Sequence, residues 1–167
     1  QDDIYLTAEP FIEVENNEIK NKAKQLIASN DEETLLRTYK WVSGHIKYSG
    51  YIKDDRGALY ALKNRSGDCT EYAHLQTALT RANDIPSRSV GGYIVKEDAV
   101  LRASDFHNWS EVYLNSKWRT VDAQNNRYMN NEFDYIVFRV LGPSTDKRLT
   151  NTHRFAYSDK NLKVKMQ

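Results

Sequence analysis

The sequence predicts an α+β fold in which N-terminal helices pack on an antiparallel sheet, with a nucleophile candidate at one helix start. Three observations carry that prediction. Between residues 16 and 83 apolar side chains recur three and four positions apart, the period of a helix with one buried face. From residue 88 onward the period shortens to two, in brief runs of aromatic and β-branched residues bounded by turn formers. Helices first and strands afterwards give segregated layers rather than alternating βαβ units.

Each element has its own signal. Residues 16–29 form a helix whose buried positions are Ile19, Ala23, Leu26 and Ile27. A second helix follows Asn30: Asp31, Glu32 and Glu33 suit the positive end of its dipole, and Leu35, Tyr39, Val42 and Ile46 form its buried stripe. A short third helix covers residues 58–63. The fourth opens at Cys69, because Asp68-Cys69-Thr70-Glu71 resembles a capping box with Asp68 as cap and Glu71 reaching back. Tyr72, Ala73, Leu75, Thr77, Leu79 and Ala82 carry it to about Asn83, and Asn83-Asp84-Ile85-Pro86 stops it. Strands are expected over residues 88–95, 107–114, 117–123 and 135–140, with a bulge at Gly91-Gly92 inside the first. Residues 125–131 read as a polar loop, and the tail after Asn161 as a fraying end.

At 167 residues the chain has room for one domain, taken as 1–167 with a core over about 38–140. Lys plus Arg number 24 against 23 for Asp plus Glu, so no basic stripe marks a nucleic-acid binder; the basic spots at 63–65 and 163–165 are short. No apolar run reaches the roughly 20 residues that span a bilayer. One cysteine excludes an internal disulfide and says nothing of the compartment. The start at Gln1 rather than Met is read as loss of an upstream segment, a signal peptide among the candidates. A secreted or periplasmic setting is the expectation, with a cytoplasmic one as the alternative.

A lone cysteine is ordinarily a small buried hydrophobe. Its placement here argues otherwise. Capped by Asp68, Cys69 occupies the first helical position, where free backbone N–H groups and the helix dipole favour an anion, and the thiolate is the nucleophilic form. The Asp68 carboxylate opposes this, so a cationic partner is required. Four histidines are available. His45 lies on the second helix, His74 is about 140° round the fourth helix from Cys69, and His153 sits in a polar stretch without companions. His107 opens a strand that a turn at Asn115-Ser116 joins to the next. If Leu114 pairs with Lys117, Trp109 lies opposite Asp122, and His107 becomes its diagonal neighbour on the same face, about 7–8 Å away at the backbone. A carboxylate there orients the imidazole and stabilises its protonated form.

Gly67-Asp68-Cys69-Thr70-Glu71-Tyr72-Ala73 and Leu79-Thr80-Arg81-Ala82-Asn83-Asp84-Ile85-Pro86-Ser87-Arg88 resemble the cysteine segment of the transglutaminase-like superfamily. His107-Asn108-Trp109-Ser110-Glu111-Val112-Tyr113 and Trp118-Arg119-Thr120-Val121-Asp122 are similar to its histidine and aspartate strands. The upstream segment from Trp41-Val42 to Ile46-Lys47-Tyr48 fits the helix before the core. The resemblance runs from about residue 38 to 122 and implies a papain-like α+β fold with Cys69 as nucleophile, His107 as base and Asp122 as orienter. Asn108 departs from the pattern, which more often has a small residue there. The Cys69 N–H is the expected oxyanion donor; Tyr60, Asn64, Trp109 and Gln124 are candidates for a second.

The implied reaction is acyl transfer on amide bonds of a peptide or protein through a thioacyl enzyme, needing no cofactor. Hydrolysis, as a cysteine peptidase or amidase, is favoured slightly over amine cross-linking, because no calcium loops are evident. The alternative is a silent protein- or glycan-binding module that retains the triad. A zinc site is not indicated, since no ligand spacing accompanies the cysteine. Asn64-Arg65-Ser66 and Asn108-Trp109-Ser110 match the glycosylation pattern by chance, and the 11 tyrosines read as core edges with wet hydroxyls.

Overall fold

The computed structural model describes residues 3–51 and 53–141. His153, the basic spot at 163–165 and the tail after Asn161 lie outside the described residues. Helix α1 spans Asn17–Leu26, capped by Asn16, whose side chain accepts from Glu18 N at 2.9 Å. Ile19, Ala23 and Leu26 are buried as the periodicity requires, but the helix ends at Leu26 and Ile27 is 51% exposed. Helix α2 spans Asp31–His45 and is capped by Asn30 on Glu33 N. Leu35, Val42 and Ile46 are buried, while Tyr39 is half-buried against the core.

The chain then adds a feature too short for a period to reveal. Strand β1, Lys47–Tyr48, pairs in parallel with β2, Ser66–Gly67, and helix α3, Gly57–Asn64, connects them. The Lys47 N–H donates to Arg65 O and the Ser49 N–H to Gly67 O. This clip delivers the chain to helix α4, Cys69–Arg81, and holds Tyr48 beside its start.

Helix α4 is the centre of the molecule. Every residue from Thr70 to Arg81 is buried, so the helix lies between α1, α2 and α3 on one side and the sheet on the other. Leu75, Ala78 and Leu79 fill the helical core with Ile12, Ile19, Val42 and Ala61, whereas Leu35, Ile85, Val112, Leu114 and Val121 form a second apolar cluster under the sheet. Burial of such side chains, worth roughly 25 cal/mol per Å², is the main favourable contribution to the fold.

Five strands make the antiparallel sheet: β3 (Ser87–Ile94), β4 (His107–Leu114), β5 (Lys117–Asp122), β6 (Arg127–Tyr128) and β7 (Tyr135–Leu141), in the order β6-β5-β4-β3-β7. The segment read as a wholly polar loop thus contains one short edge strand. Leu114 pairs with Lys117, and the ladder runs to Ser110 opposite Val121. Asn115 and Ser116 close the hairpin at φ 52° and 65°, the left-handed values that a two-residue type I′ turn demands. Between Gly91 and Gly92 the register with β7 shifts, which is the expected bulge. A Cβ on Gly92 would stand 1.9 Å from Ile136 O, so only glycine lets β7 approach.

Candidate active site

Cys69 is the first residue of α4 and is half-buried, in contrast to the buried residues that follow it. Its position is set by the cap. Asp68 accepts from Thr70 N at 2.8 Å, and Glu71 accepts from Asp68 N at 3.0 Å, completing the reciprocal box. Glu71 also accepts from Arg56 N at 2.9 Å, which ties the segment before α3 to the start of α4. The N–H of a first helical residue has no acceptor inside the helix. At Cys69 that donor stands beside the thiol.

His107 begins β4 and Asp122 ends β5, and their side chains meet. His107 Nε2 lies 2.7 Å from Asp122 Oδ2, with both groups largely withdrawn from water. The hairpin register, continued one step past Ser110 and Val121, supplies the diagonal relation that brings them together. Burial alone would lower the His107 pKa. Hydrogen bonding to Asp122, then to Cys69, and the charges of both outweigh burial and raise it from 6.5 to about 9. Asp122 shows the converse: burial would raise its pKa, but the bond and charge of His107 and donation from Asn125 hold it below the ordinary carboxylate value. His107 and Asp122 are thus in direct contact, and Cys69 lies near enough to His107 to contribute to its raised pKa.

Two partners of Asp122 gave no signal in the sequence. The Tyr135 hydroxyl donates to Oδ2 at 2.9 Å, across from β7, and the Asn125 side chain donates to the same oxygen at 2.8 Å while its backbone N–H reaches Oδ1 at 3.2 Å. Burial, followed by the Asp122 charge, raises the Tyr135 pKa far above normal, so the phenol stays a donor. Tyr135 also packs edge-on to Trp109, with ring centroids 5.0 Å apart. Asn125 belongs to the turn read as loop, and only its Asx geometry after Asp122 could have marked it.

The remaining candidates separate. Tyr60 and Asn64 spend their polar groups around α3: the Tyr60 hydroxyl meets Arg56, and Asn64 Nδ2 donates to Tyr60 O. Trp109 Nε1 and Gln124 Oε1 are buried without hydrogen-bond partners among the described residues. His74 is a buried structural residue, 3.2 Å from Ser89 Oγ, and desolvation lowers its pKa to about 4. His45 is exposed and contacts Trp41 O. A cleft of about 340 Å³ opens beside Cys69, walled by Tyr48, Tyr51, Thr70, Ser104 and Phe106. A larger cavity of about 620 Å³ between α1 and α2 is lined by none of Cys69, His107 and Asp122.

Residues 20–123 match the family model of the transglutaminase-like superfamily core, a longer stretch than the motifs alone suggested. The chain belongs to the transglutaminase-like superfamily. Solved structures agree on the fold. A proposed cysteine protease from Cytophaga hutchinsonii superposes with a TM-score of 0.69 at 24% identity, over 84% of this chain and 47% of that one. The periplasmic domain of TgpA from Pseudomonas aeruginosa gives 0.55 at 21% identity, over 71% of this chain and 45% of that one. A proposed protease from Parabacteroides distasonis gives 0.54 at 14% identity, over 74% of this chain and 27% of that one. This transglutaminase-like chain thus spans less than half the length of each of these structures. No curated protein matches it.

Proposed function

We propose that this transglutaminase-like chain acts as a single-domain thiol acyltransferase on amide bonds of a peptide or protein, with Cys69 as nucleophile, His107 as general base and acid, and Asp122 as orienter. The observation that carries the reading is the 2.7 Å His107–Asp122 contact, with Cys69 bonded to the same imidazole from the start of a helix. Asp122 engages Nε2, which leaves Nδ1 for proton exchange with the thiol. A raised imidazole pKa favours the thiolate–imidazolium pair over the neutral pair. The thiolate attacks the carbonyl carbon, and the oxyanion forms near the Cys69 N–H at the positive end of α4. Collapse breaks the C–N bond, the imidazolium gives its proton to the departing amine, and a thioester remains. Water, deprotonated by His107, then releases the acid and regenerates the thiol. A primary amine in place of water gives a new amide.

Hydrolysis is the favoured outcome. The 340 Å³ cleft, with two exposed tyrosines and Phe106 beside Cys69, suits a peptide side chain next to the reacting carbonyl. A secreted or periplasmic setting is part of the proposal, supported by the likeness to the periplasmic domain of TgpA. Among the described residues no helix is long and apolar enough to cross a membrane. The test is incubation with a peptide library, with and without an added primary amine, followed by mass spectrometry. Cleaved peptide or free acid that vanishes in Cys69→Ala supports hydrolysis, and amine incorporation supports cross-linking. Inertness of the native protein over broad substrates favours a silent binding module.

A further inference from the structure

Asn108 occupies the position where the sequence pattern departs from its family, and the structure gives that departure a target. The side chain projects from β4 toward the start of α4 rather than to solvent, and the residue is 6% exposed. Nδ2 lies 2.9 Å from Thr70 Oγ1 and 3.9 Å from Cys69 Sγ, within hydrogen-bond range for sulfur. A carboxamide nitrogen carries two hydrogens, so both contacts can be made at once. Its other end is wedged. Asn108 pairs with Gly91 on β3, and a Cβ on Gly91 would stand 2.6 Å from Asn108 Oδ1 and 2.7 Å from the Phe106 ring. Oδ1 is buried with no hydrogen-bond partner among the described residues.

That last fact argues against a packing role. An unsatisfied buried carbonyl destabilises a fold, and a small apolar side chain at this place would avoid it. What the carboxamide supplies in return is its N–H, aimed at sulfur by Thr70 and held from behind by the close approach of Gly91. We infer that Asn108 is a catalytic residue that donates its side-chain N–H to the Cys69 thiolate, a second stabiliser independent of His107. This rests on the thiol-enzyme reading above. His107 helps the thiolate only while it is protonated, whereas a carboxamide donates at every pH. Asn108 therefore extends the activated state of the thiol toward alkaline conditions, and it holds Sγ in one position as the imidazole gains and loses its proton.

The experiment is the pH profile of Cys69 alkylation by iodoacetamide in the native protein, Asn108→Ala and Asn108→Asp, with the His107 ring protons followed by NMR in each. The Ala variant removes the donor and also the orphaned carbonyl, so it is expected to fold. The Asp variant keeps the shape, loses the donor and adds a like charge. The thiol midpoint should rise by about one pH unit in Asn108→Ala and further in Asn108→Asp. The His107 resonances should stay in their folded positions in the Ala variant, showing that the His107–Asp122 pair survives. If the native thiol is activated and the Asn108→Ala profile superposes on it, the role given to Asn108 is overturned while the thiol-enzyme reading stands. If the native profile rises only near an ordinary thiol pKa of about 8.5, the reading itself fails and the inference with it.

Discussion

Replacing Asp122 with Asn leaves the shape of the His107 contact and removes its charge, and the structure sets what that should cost. The His107 pKa stands at about 9 against an ordinary value of 6.5. At about 1.4 kcal/mol per pH unit, the difference corresponds to about 3 kcal/mol of folding stability. His107 is 11% exposed and Asp122 1%, so solvent screening removes little of it. The lowered Asp122 pKa is the same interaction seen from the other partner and is not added. Because the folded-state value is raised, the contribution is fully present below the unfolded-state pKa of 6.5 and is lost as pH rises through about 9. In Asp122→Asn the burial that opposes protonation is countered only by the hydrogen bond and charge of Cys69, and the imidazole pKa falls. Urea unfolding of both proteins from about pH 6.5 to 9.5, under reducing conditions, should show the native advantage shrinking across the window by at most about 3 kcal/mol, the part of the shift owed to Cys69 being common to both. The His107 Cε1 proton should titrate near pH 9 in the native protein only. Parallel stability curves would refute the reasoning, since the pair would then be no more charged in the fold than in the open chain.

Tyr135→Phe keeps the edge-on packing against Trp109 and deletes one donor to a buried carboxylate. The expected cost is about 1.5–3 kcal/mol in urea unfolding, with acid unfolding beginning at higher pH because ionised Asp122 has lost support. Gly92→Ala drives a methyl group into Ile136 O and should cost about 1–3 kcal/mol, read as a lower urea midpoint with loss of amide protection along β7. Asp68→Ala removes the α4 cap at a cost of about 1 kcal/mol, and Asp68→Asn should restore most of it. An unchanged midpoint in any of these variants counts against the contact it deletes.

The parts of this molecule that were legible in the sequence share one property: their signal is local. The α4 start was readable because a capping box occupies four consecutive residues. The β4–β5 register was readable because a two-residue turn leaves one way to pair the strands, and from it followed the His107–Asp122 contact. What escaped depends on distant chain. The β1–β2 clip joins two dipeptides across α3, too short for any period, yet it places Tyr48 at the site. Tyr135 reaches Asp122 only because β7 crosses to the far side of β3. The burial of α4 on all sides was also hidden, since Glu71, His74, Gln76 and Arg81 look like a solvated face until their partners are known. Asn108 stood out only as a departure from the family pattern for the same reason: its target lies 39 residues earlier in the chain.

These buried polar residues explain how a helix can present a thiol to a strand in one position. Where α4 crosses β3 and β4, the seam is made of small hydroxyls and amides. Thr77 Oγ1 lies 3.0 Å from Ser89 Oγ and 2.9 Å from Ser110 Oγ, and Thr70 Oγ1 meets Asn108. Ser89 pairs with Ser110 and Gly91 with Asn108, so two rungs of the β3–β4 ladder each hold one threonine of the helix. Apolar contact is non-directional and tolerates small sliding of one layer over another. Hydrogen bonds do not, because they weaken steeply with distance and angle. Leu75 and Leu79 keep the helix attached to the core, while the two threonines fix where along the strands it sits. The coordinate they fix is the one that sets the separation of Cys69, at one end of the seam, from His107 on the adjoining strand. Thr77→Val, which keeps the volume but cuts both bonds at the far end of the seam, should therefore slow Cys69 alkylation as well as lower stability. A loss of stability alone would mean that the seam holds the fold together without registering the site.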